Sequence, residues 1–121
     1  MFRQICLAAT AIAALSGFAV IGPAGAEPYT TEYRVRGNDR SFVTINLNSG
    51  GPYYVGAMGD GRTDIDFVIR DARGNIIHED YGLVDTTSVR INRSGRYEIE
   101  LINIGNTTNI VRIHTRAQGD N

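Results

Sequence analysis

The sequence contains one cysteine, no lysine and no tryptophan, and these scarcities exclude several classes of protein. The only cysteine, Cys6, lies close to the N-terminus, so a disulfide framework or a cysteine-based zinc site within the chain is excluded. The twelve basic residues, all arginines, are outnumbered by thirteen acidic residues. Because nucleic-acid-binding domains carry a basic excess, we expect no nucleic-acid partner.

The first 26 residues contain the three parts of a secretory signal peptide. Arg3 supplies a positive charge, residues 5–21 are apolar or small, and Ala24-Gly25-Ala26 forms a small-x-small cleavage site. A membrane anchor is the alternative, but the apolar stretch is at the short limit for crossing a bilayer and no basic cluster follows it. We therefore predict cleavage after Ala26, no membrane span afterwards, and a periplasmic or secreted location.

Cleavage would leave residues 27–121 as one small domain. The mature chain has no cysteine, and its net charge changes from −1 to −2 because Arg3 is removed. Its stability must therefore come from the burial of apolar side chains, without disulfides.

Apolar and polar residues alternate along most of the mature chain, as is typical of β-strands with one buried face. Turns rich in Gly, Asn and Asp separate the alternating segments at regular intervals. This pattern predicts an all-β fold, an antiparallel jelly-roll-like sandwich of about eight strands. The predicted strands cover residues 29–36, 41–48, 53–58, 63–71, 76–81, 87–92, 96–104 and 110–116.

Two short motifs resemble a known family. Thr63-Asp64-Ile65-Asp66-Phe67 precedes a Gly74-Asn75 turn, and a later segment reads Ser94-Gly95-Arg96-Tyr97. Over about residues 40–115 the chain is similar to bacterial pre-peptidase C-terminal domains, although Ile110 stands where that family usually has tyrosine. The resemblance implies a jelly-roll-like sandwich and a non-catalytic module that assists secretion or binds substrate. Some family members bind calcium.

Three carboxylates within seven residues form the first candidate site. Asp60, Asp64 and Asp66 lie around Gly61, and calcium prefers several oxygen ligands of this kind. Against a metal site, Arg62 lies between them and the spacing is not that of an EF-hand loop. The alternative is structural, with Asp60 capping a turn and Asp66 facing solvent. Calcium is therefore the one cofactor that the sequence suggests.

Aromatic residues form the second candidate site. Tyr53, Tyr54 and Tyr81 could form a platform for a ligand such as a sugar ring, because tyrosine combines contact area with a polar tip. Only one of Tyr53 and Tyr54 can face inward, since neighbouring residues of a strand point to opposite faces. The alternative is that these aromatic rings belong to the core.

The sequence contains no arrangement typical of an enzyme. It has no Gly-x-Ser-x-Gly motif, and His78 and His114 lie on different predicted strands. We therefore predict a small exported, non-catalytic binding or accessory module that recognises protein or polysaccharide. The alternative is a periplasmic inhibitor or chaperone-like partner of a secreted enzyme.

Overall fold

The protein is described by a computed structural model, which covers residues 18–24, 29–48 and 52–117. These residues form nine strands and no helix, so no helix among them could cross a membrane. The strands are β1 (Phe18–Ala24), β2 (Tyr29–Val35), β3 (Arg40–Leu47), β4 (Tyr53–Met58), β5 (Ile65–Arg70), β6 (Ile76–Asp80), β7 (Thr86–Ile91), β8 (Gly95–Asn103) and β9 (Asn109–Ala117).

The strands form two sheets that pack into a sandwich. One sheet has the order β1-β3-β8-β5-β6, and the other has the order β2-β9-β4-β7. All pairs from β2 to β9 are antiparallel, whereas β1 lies parallel to β3. The predicted antiparallel sandwich of about eight strands is thus confirmed, with each predicted strand found within two residues of its expected bounds.

The core lies between the two sheets and is built by the alternation that the sequence shows. On β3, Val43, Ile45 and Leu47 are at most 1% exposed, while Phe42 and Asn46 between them are half-buried on the outer face. The same period places Tyr97, Ile99 and Leu101 of β8 in the core. Because the described residues contain no cysteine, this apolar layer is the main source of the sandwich's stability.

The outer face of the five-stranded sheet contains a buried charge that alternation alone does not predict. Glu100 of β8 is 3% exposed and accepts hydrogen bonds from the guanidinium groups of Arg40 and Arg70 on the two flanking strands. The arginine side chains extend across the sheet and shield the carboxylate from water. The centre of this face is therefore a closed ion-pair network rather than an open binding surface.

β1 lies within the segment that the sequence predicts as a signal peptide. Its register places Phe18 opposite Phe42 and Ala24 opposite Leu47, with a shift between Val20 and Pro23. The predicted cleavage site extends to Gly25 and Ala26, which lie outside the described residues. Cleavage there would remove the whole of β1, so the cleavage prediction decides which strand forms this edge of the sheet.

Candidate functional site

Four loops meet at one end of the sandwich, and each of them crosses from one sheet to the other. They join β2 to β3, β4 to β5, β6 to β7 and β8 to β9. We call this end the crossing-loop end, and it comprises residues 36–39, 59–64, 81–85 and 104–108. The opposite end carries the β5–β6 hairpin turn, whose strands lie in the same sheet.

Asn109, the first residue of β9, connects two of these loops from a fully buried position. Its side-chain carbonyl oxygen accepts a hydrogen bond from the Asp60 amide at 2.9 Å. Its side-chain NH₂ group lies within 3.1–3.2 Å of the Thr63 carbonyl, the Thr63 hydroxyl and Asp85 Oδ2. One amide side chain therefore fixes the 59–64 loop against the end of the 81–85 loop and the start of β9.

Asn103 does the same for the other two loops. Its side-chain NH₂ group donates to the carbonyl oxygens of Val35 and Thr107 at 3.0 and 2.9 Å, and its Oδ1 accepts from the Gly105 amide. The Asn38 amide also donates to the Gly105 carbonyl at 2.7 Å. The 36–39 and 104–108 loops are thereby held together by buried hydrogen bonds.

Two carboxylates complete this framework by accepting backbone amides. Asp85 Oδ2 accepts from the Gly61 amide at 2.7 Å, and the Gly59 amide donates to the Asp85 carbonyl at the same distance. Gly59 has to be glycine here, since a Cβ atom would collide with the Asp85 carboxylate. Asp60 accepts from the amides of Arg62 and Ile110, both at 3.0 Å. The crossing-loop end is consequently a rigid, hydrogen-bonded surface.

Large apolar side chains are exposed on this rigid surface. Among the described residues seven large hydrophobic side chains are exposed, and five of them lie at or beside the crossing-loop end. Leu83 is 91% exposed and Val84 is 63% exposed, both in the 81–85 loop. Exposure of large apolar side chains that is concentrated at one end of a small domain is typical of an interaction surface. The other three are Met58, Tyr81 and Ile104.

The structure does not bring together, as one group, the three carboxylates that the sequence predicts as calcium ligands. One oxygen of Asp60 accepts the Arg62 amide in its own loop and the other accepts the Ile110 amide on β9, whereas Asp64 and Asp66 each have one buried oxygen without a hydrogen-bond partner. Among the described residues no group of three or more His, Cys, Asp or Glu side chains is placed to hold a metal ion. Calcium binding at Asp60, Asp64 and Asp66 stays a prediction, and the geometry does not gather these ligands.

Asp66 carries an electrostatic cost in the folded state. Burial raises the pKa of the Asp66 carboxyl, and the nearby Asp64 and Asp80 carboxylates raise it further. A carboxyl whose pKa is raised on folding is protonated more readily in the native state. Its contribution to stability therefore improves as the pH falls through the folded-state pKa and is unfavourable at neutral pH.

We therefore expect Asp66→Asn to raise the midpoint of thermal unfolding at neutral pH by about 2 °C, because it removes a partly desolvated charge and its repulsion by Asp64 and Asp80. The gain should shrink as the pH approaches the ordinary carboxyl pKa. Thermal unfolding followed by circular dichroism at several pH values measures both effects. An unchanged midpoint at neutral pH would show that solvent screens the three carboxylates from one another.

Asp71, in the β5–β6 turn, is a control for which the substitution should change the unfolding midpoint in the opposite direction. Hydrogen bonds from the Asn75 backbone, the Asn75 side chain and the Arg73 backbone lower the pKa of the Asp71 carboxyl, because they stabilise its ionised form. Its contribution is present at neutral pH and is lost as the pH falls through the lowered pKa. Asp71→Asn should therefore lower the unfolding midpoint at neutral pH, and should do so less at acid pH.

The three tyrosines predicted as a ligand platform do not come together. Tyr53 is 0% exposed and belongs to the core, so its predicted role in ligand binding is wrong. Alternate residues of a strand point to the same face, and Tyr53 therefore shares the inward face of β4 with Val55 and Ala57. Tyr54 points to the outer face of the four-stranded sheet, where the guanidinium of Arg116 lies 5.1 Å from its ring centroid.

Tyr81 is separated from Tyr54 by the full thickness of the sandwich. It follows β6 in the five-stranded sheet, is 57% exposed, and its hydroxyl donates to Glu79 Oε2 at 2.8 Å. That hydrogen bond raises the pKa of the Tyr81 hydroxyl. Tyr81 thus begins the 81–85 loop with its hydroxyl held by Glu79 of β6, and it does not form a platform with Tyr54.

The two histidines are also apart, as the sequence indicates. The Nε2 atom of His78 on β6 lies 2.7 Å from the Thr87 hydroxyl, and the Nδ1 atom of His114 on β9 lies 2.8 Å from the Thr30 hydroxyl. These threonines lie on neighbouring elements of the sandwich, so each histidine ties two strands together.

The architecture defines a jelly-roll-like sandwich with one rigid end of crossing loops. No family model matches the chain, and no curated protein matches its sequence. Solved structures share the fold. The pre-peptidase C-terminal domain of a collagenase from Bacillus anthracis superposes with a TM-score of 0.61 at 13% identity, over 78% of this chain and 93% of that one.

Two further structures are similar in fold. A mitogen from Yersinia pseudotuberculosis has a TM-score of 0.55 at 14% identity, over 79% of this chain and 90% of that one. PliG from Aeromonas hydrophila, a periplasmic inhibitor of g-type lysozyme, has a TM-score of 0.50 at 12% identity, over 84% of this chain and 99% of that one. At these identities the likeness is one of fold, and it confirms the resemblance to the pre-peptidase C-terminal sandwich.

Proposed function

We propose that this protein is a small exported, non-catalytic module that binds another protein through its crossing-loop end. The observation that carries the proposal is the exposure of five large apolar side chains on loops fixed by buried hydrogen bonds. A surface that is already rigid loses little conformational entropy when a partner binds, so more of its contact energy appears as affinity.

A protein partner is favoured over a polysaccharide. Sugar rings usually stack on exposed aromatic faces, but Tyr53 is buried while Tyr54 and Tyr81 lie on opposite faces of the sandwich. In contrast, Leu83 and Val84 present aliphatic side chains, which bury well in an apolar pocket of a protein. The fold similarity to an accessory domain of a collagenase and to a periplasmic inhibitor supports the same proposal.

Photocross-linking tests whether the crossing-loop end is the contact surface. A photoreactive amino acid placed at Leu83 or at Ile104 should give one discrete adduct with a protein of the producing cell's envelope or secreted fraction. Ile76 is the matched control, because it is 51% exposed like Ile104 but lies at the opposite end of the sandwich. Equal cross-linking from Ile76, or none from Leu83 and Ile104, would contradict the proposed surface.

An inhibitor of a secreted enzyme is the second candidate function. The 81–85 loop is held at both ends by carboxylates, since Asp80 accepts from the Gly82 amide and Asp85 accepts from Gly61. A firmly held loop with an exposed Leu83 suits insertion into an enzyme's cleft. The probe is a g-type lysozyme, whose rate of peptidoglycan hydrolysis should fall on addition of the mature protein. An unchanged rate would remove this enzyme class without affecting the cross-linking result.

A further inference from the structure

At one edge of the five-stranded sheet, β3 is covered by the edge strand β1. Among the described strands, β1 and β3 form the only parallel pair. All seven residues of β1 precede the predicted cleavage site after Ala26. Processing would therefore leave the outward backbone groups of β3 without their partner strand.

A free β3 would be an unprotected edge. Exposed edge strands in stable proteins are usually short, charged, interrupted by proline or bulged, because these features prevent pairing with other chains. β3 is eight residues long, has no proline, glycine or lysine, and pairs with β8 in one unbroken register from Arg40 to Leu47. The opposite edge, β6, has five residues, two of them acidic, and a register shift against β5.

The side chains of β3 are compatible with pairing to a second copy of the same strand. In an antiparallel pair centred on Thr44, Val43 of each copy faces Ile45 of the other, and both residues are fully buried. The apolar cores of the two copies would then be in contact across the β3–β3 pair, which we call the seam. Thr44 would face Thr44, a cross-strand pair that is favourable in sheets.

Charge also permits this pairing. The only charged residue of β3 is Arg40, which would face Asn48 of the other copy, so no like charges meet. Arg40 is moreover ion-paired with Glu100 within its own chain. β6, in contrast, would bring Glu79 or Asp80 close to its own equivalent, where like charges are destabilising.

We propose that removal of β1 with the signal peptide turns β3 into a dimerisation edge, through which two mature chains join their five-stranded sheets. In the unprocessed chain, residues 18–24 occupy this edge by pairing with β3. The proposal concerns the β3 edge and is independent of the partner at the crossing-loop end.

The test uses the full chain, exported from a bacterium and purified after processing. Intact mass should place the mature N-terminus beyond β1, and sedimentation over a dilution series should show a monomer–dimer equilibrium. Thr44→Lys, which opposes two positive charges at the seam, should weaken dimerisation about tenfold or more. Ser88→Lys, on the exposed outer side of the edge strand β7, is the control and should leave the equilibrium unchanged.

A cysteine at the seam gives a second readout that does not depend on charge. Directly opposed residues of an antiparallel pair lie about 4.5–5.5 Å apart at Cα, which a disulfide can span. Because the mature chain contains no other cysteine, Thr44→Cys should form a disulfide-linked dimer on mild oxidation, whereas Ser88→Cys should form far less. A mature N-terminus that retains β1, a protein that stays monomeric, or equal cross-linking by the two cysteine variants would overturn the proposal.

Discussion

Replacing Asn109 with alanine should lower the free energy of unfolding by about 3 kcal/mol, the largest effect on stability that we expect from a single side chain at the crossing-loop end. Asn109 is 0% exposed, and its removal leaves the Asp60 amide and the Thr63 carbonyl without their buried partner. A buried polar group without a hydrogen bond costs about 1–3 kcal/mol, and the two groups created here are part-buried, so each should contribute near the lower end of that range, with the lost packing of the buried side chain adding to it.

Thermal and urea unfolding measure the change, and the midpoint temperature should fall by more than about 10 °C. Hydrogen exchange adds local information, because the amides of Asp60, Gly61 and Ile110 should exchange faster once the loop is released. Asn106→Ala is the matched control, since Asn106 is an exposed asparagine of the 104–108 loop and should change stability by less than about 0.5 kcal/mol. A loss below about 1 kcal/mol for Asn109→Ala would show that water replaces the missing amide.

The second large effect concerns binding rather than stability. Leu83→Asp combined with Val84→Asp should weaken binding to the cross-linked partner by about thirtyfold or more, because the central apolar anchors of an interface together contribute about 2 kcal/mol or more. The introduced carboxylates would also have to lose their hydration on binding. Since Leu83 and Val84 are 91% and 63% exposed in the free protein, the unfolding midpoint should hardly change.

The control for this variant is Ile76→Asp combined with Ile77→Asp. These residues are 51% and 40% exposed at the start of β6, at the opposite end of the sandwich. This double variant introduces the same two charges and should bind as the unmodified protein does. Titration calorimetry or surface plasmon resonance with the purified partner measures both variants. Equal losses from the two pairs would indicate a general effect of charge rather than a contact at Leu83 and Val84.

The strands were predictable because their alternation is strong and their turns are rich in glycine and asparagine. Val43, Ile45 and Leu47 are an example, since their alternation with more polar residues identifies both the strand and its buried face. This alternation does not show which strands are neighbours in a sheet. That β3 pairs with β8, more than 50 residues later, depends on how both sheets close around a shared core.

Asn103 and Asn109 could have been recognised from the sequence by the same alternation. Asn103 continues the inward series of Tyr97, Ile99 and Leu101, and Asn109 precedes the inward Val111 and Ile113. A polar side chain at an inward position needs a buried hydrogen-bond partner, which here is the backbone of the crossing loops. A polar residue that interrupts an inward series therefore indicates a loop anchor.

Other features of the site leave a weaker signal. Leu83 and Val84 fall in the loop between the predicted strands 76–81 and 87–92, but the sequence does not show that their side chains face solvent, which depends on how the chain crosses from β6 to β7. Glu100 was unpredictable for the opposite reason. It occupies an outward position, where a carboxylate normally faces water, and its burial depends on Arg40 and Arg70 from two other strands.

The order of the strands has a consequence for how fast this chain acquires its structure. Among the described strands, β5 and β6 are the only sequential neighbours that pair, and every other pair joins strands that are separated in the chain. Folds dominated by such distant pairings form slowly, in milliseconds to seconds, because long loops must close before any contact stabilises them. For a chain with the proposed export, slow acquisition of structure keeps the polypeptide extended long enough to be threaded through a narrow translocation channel.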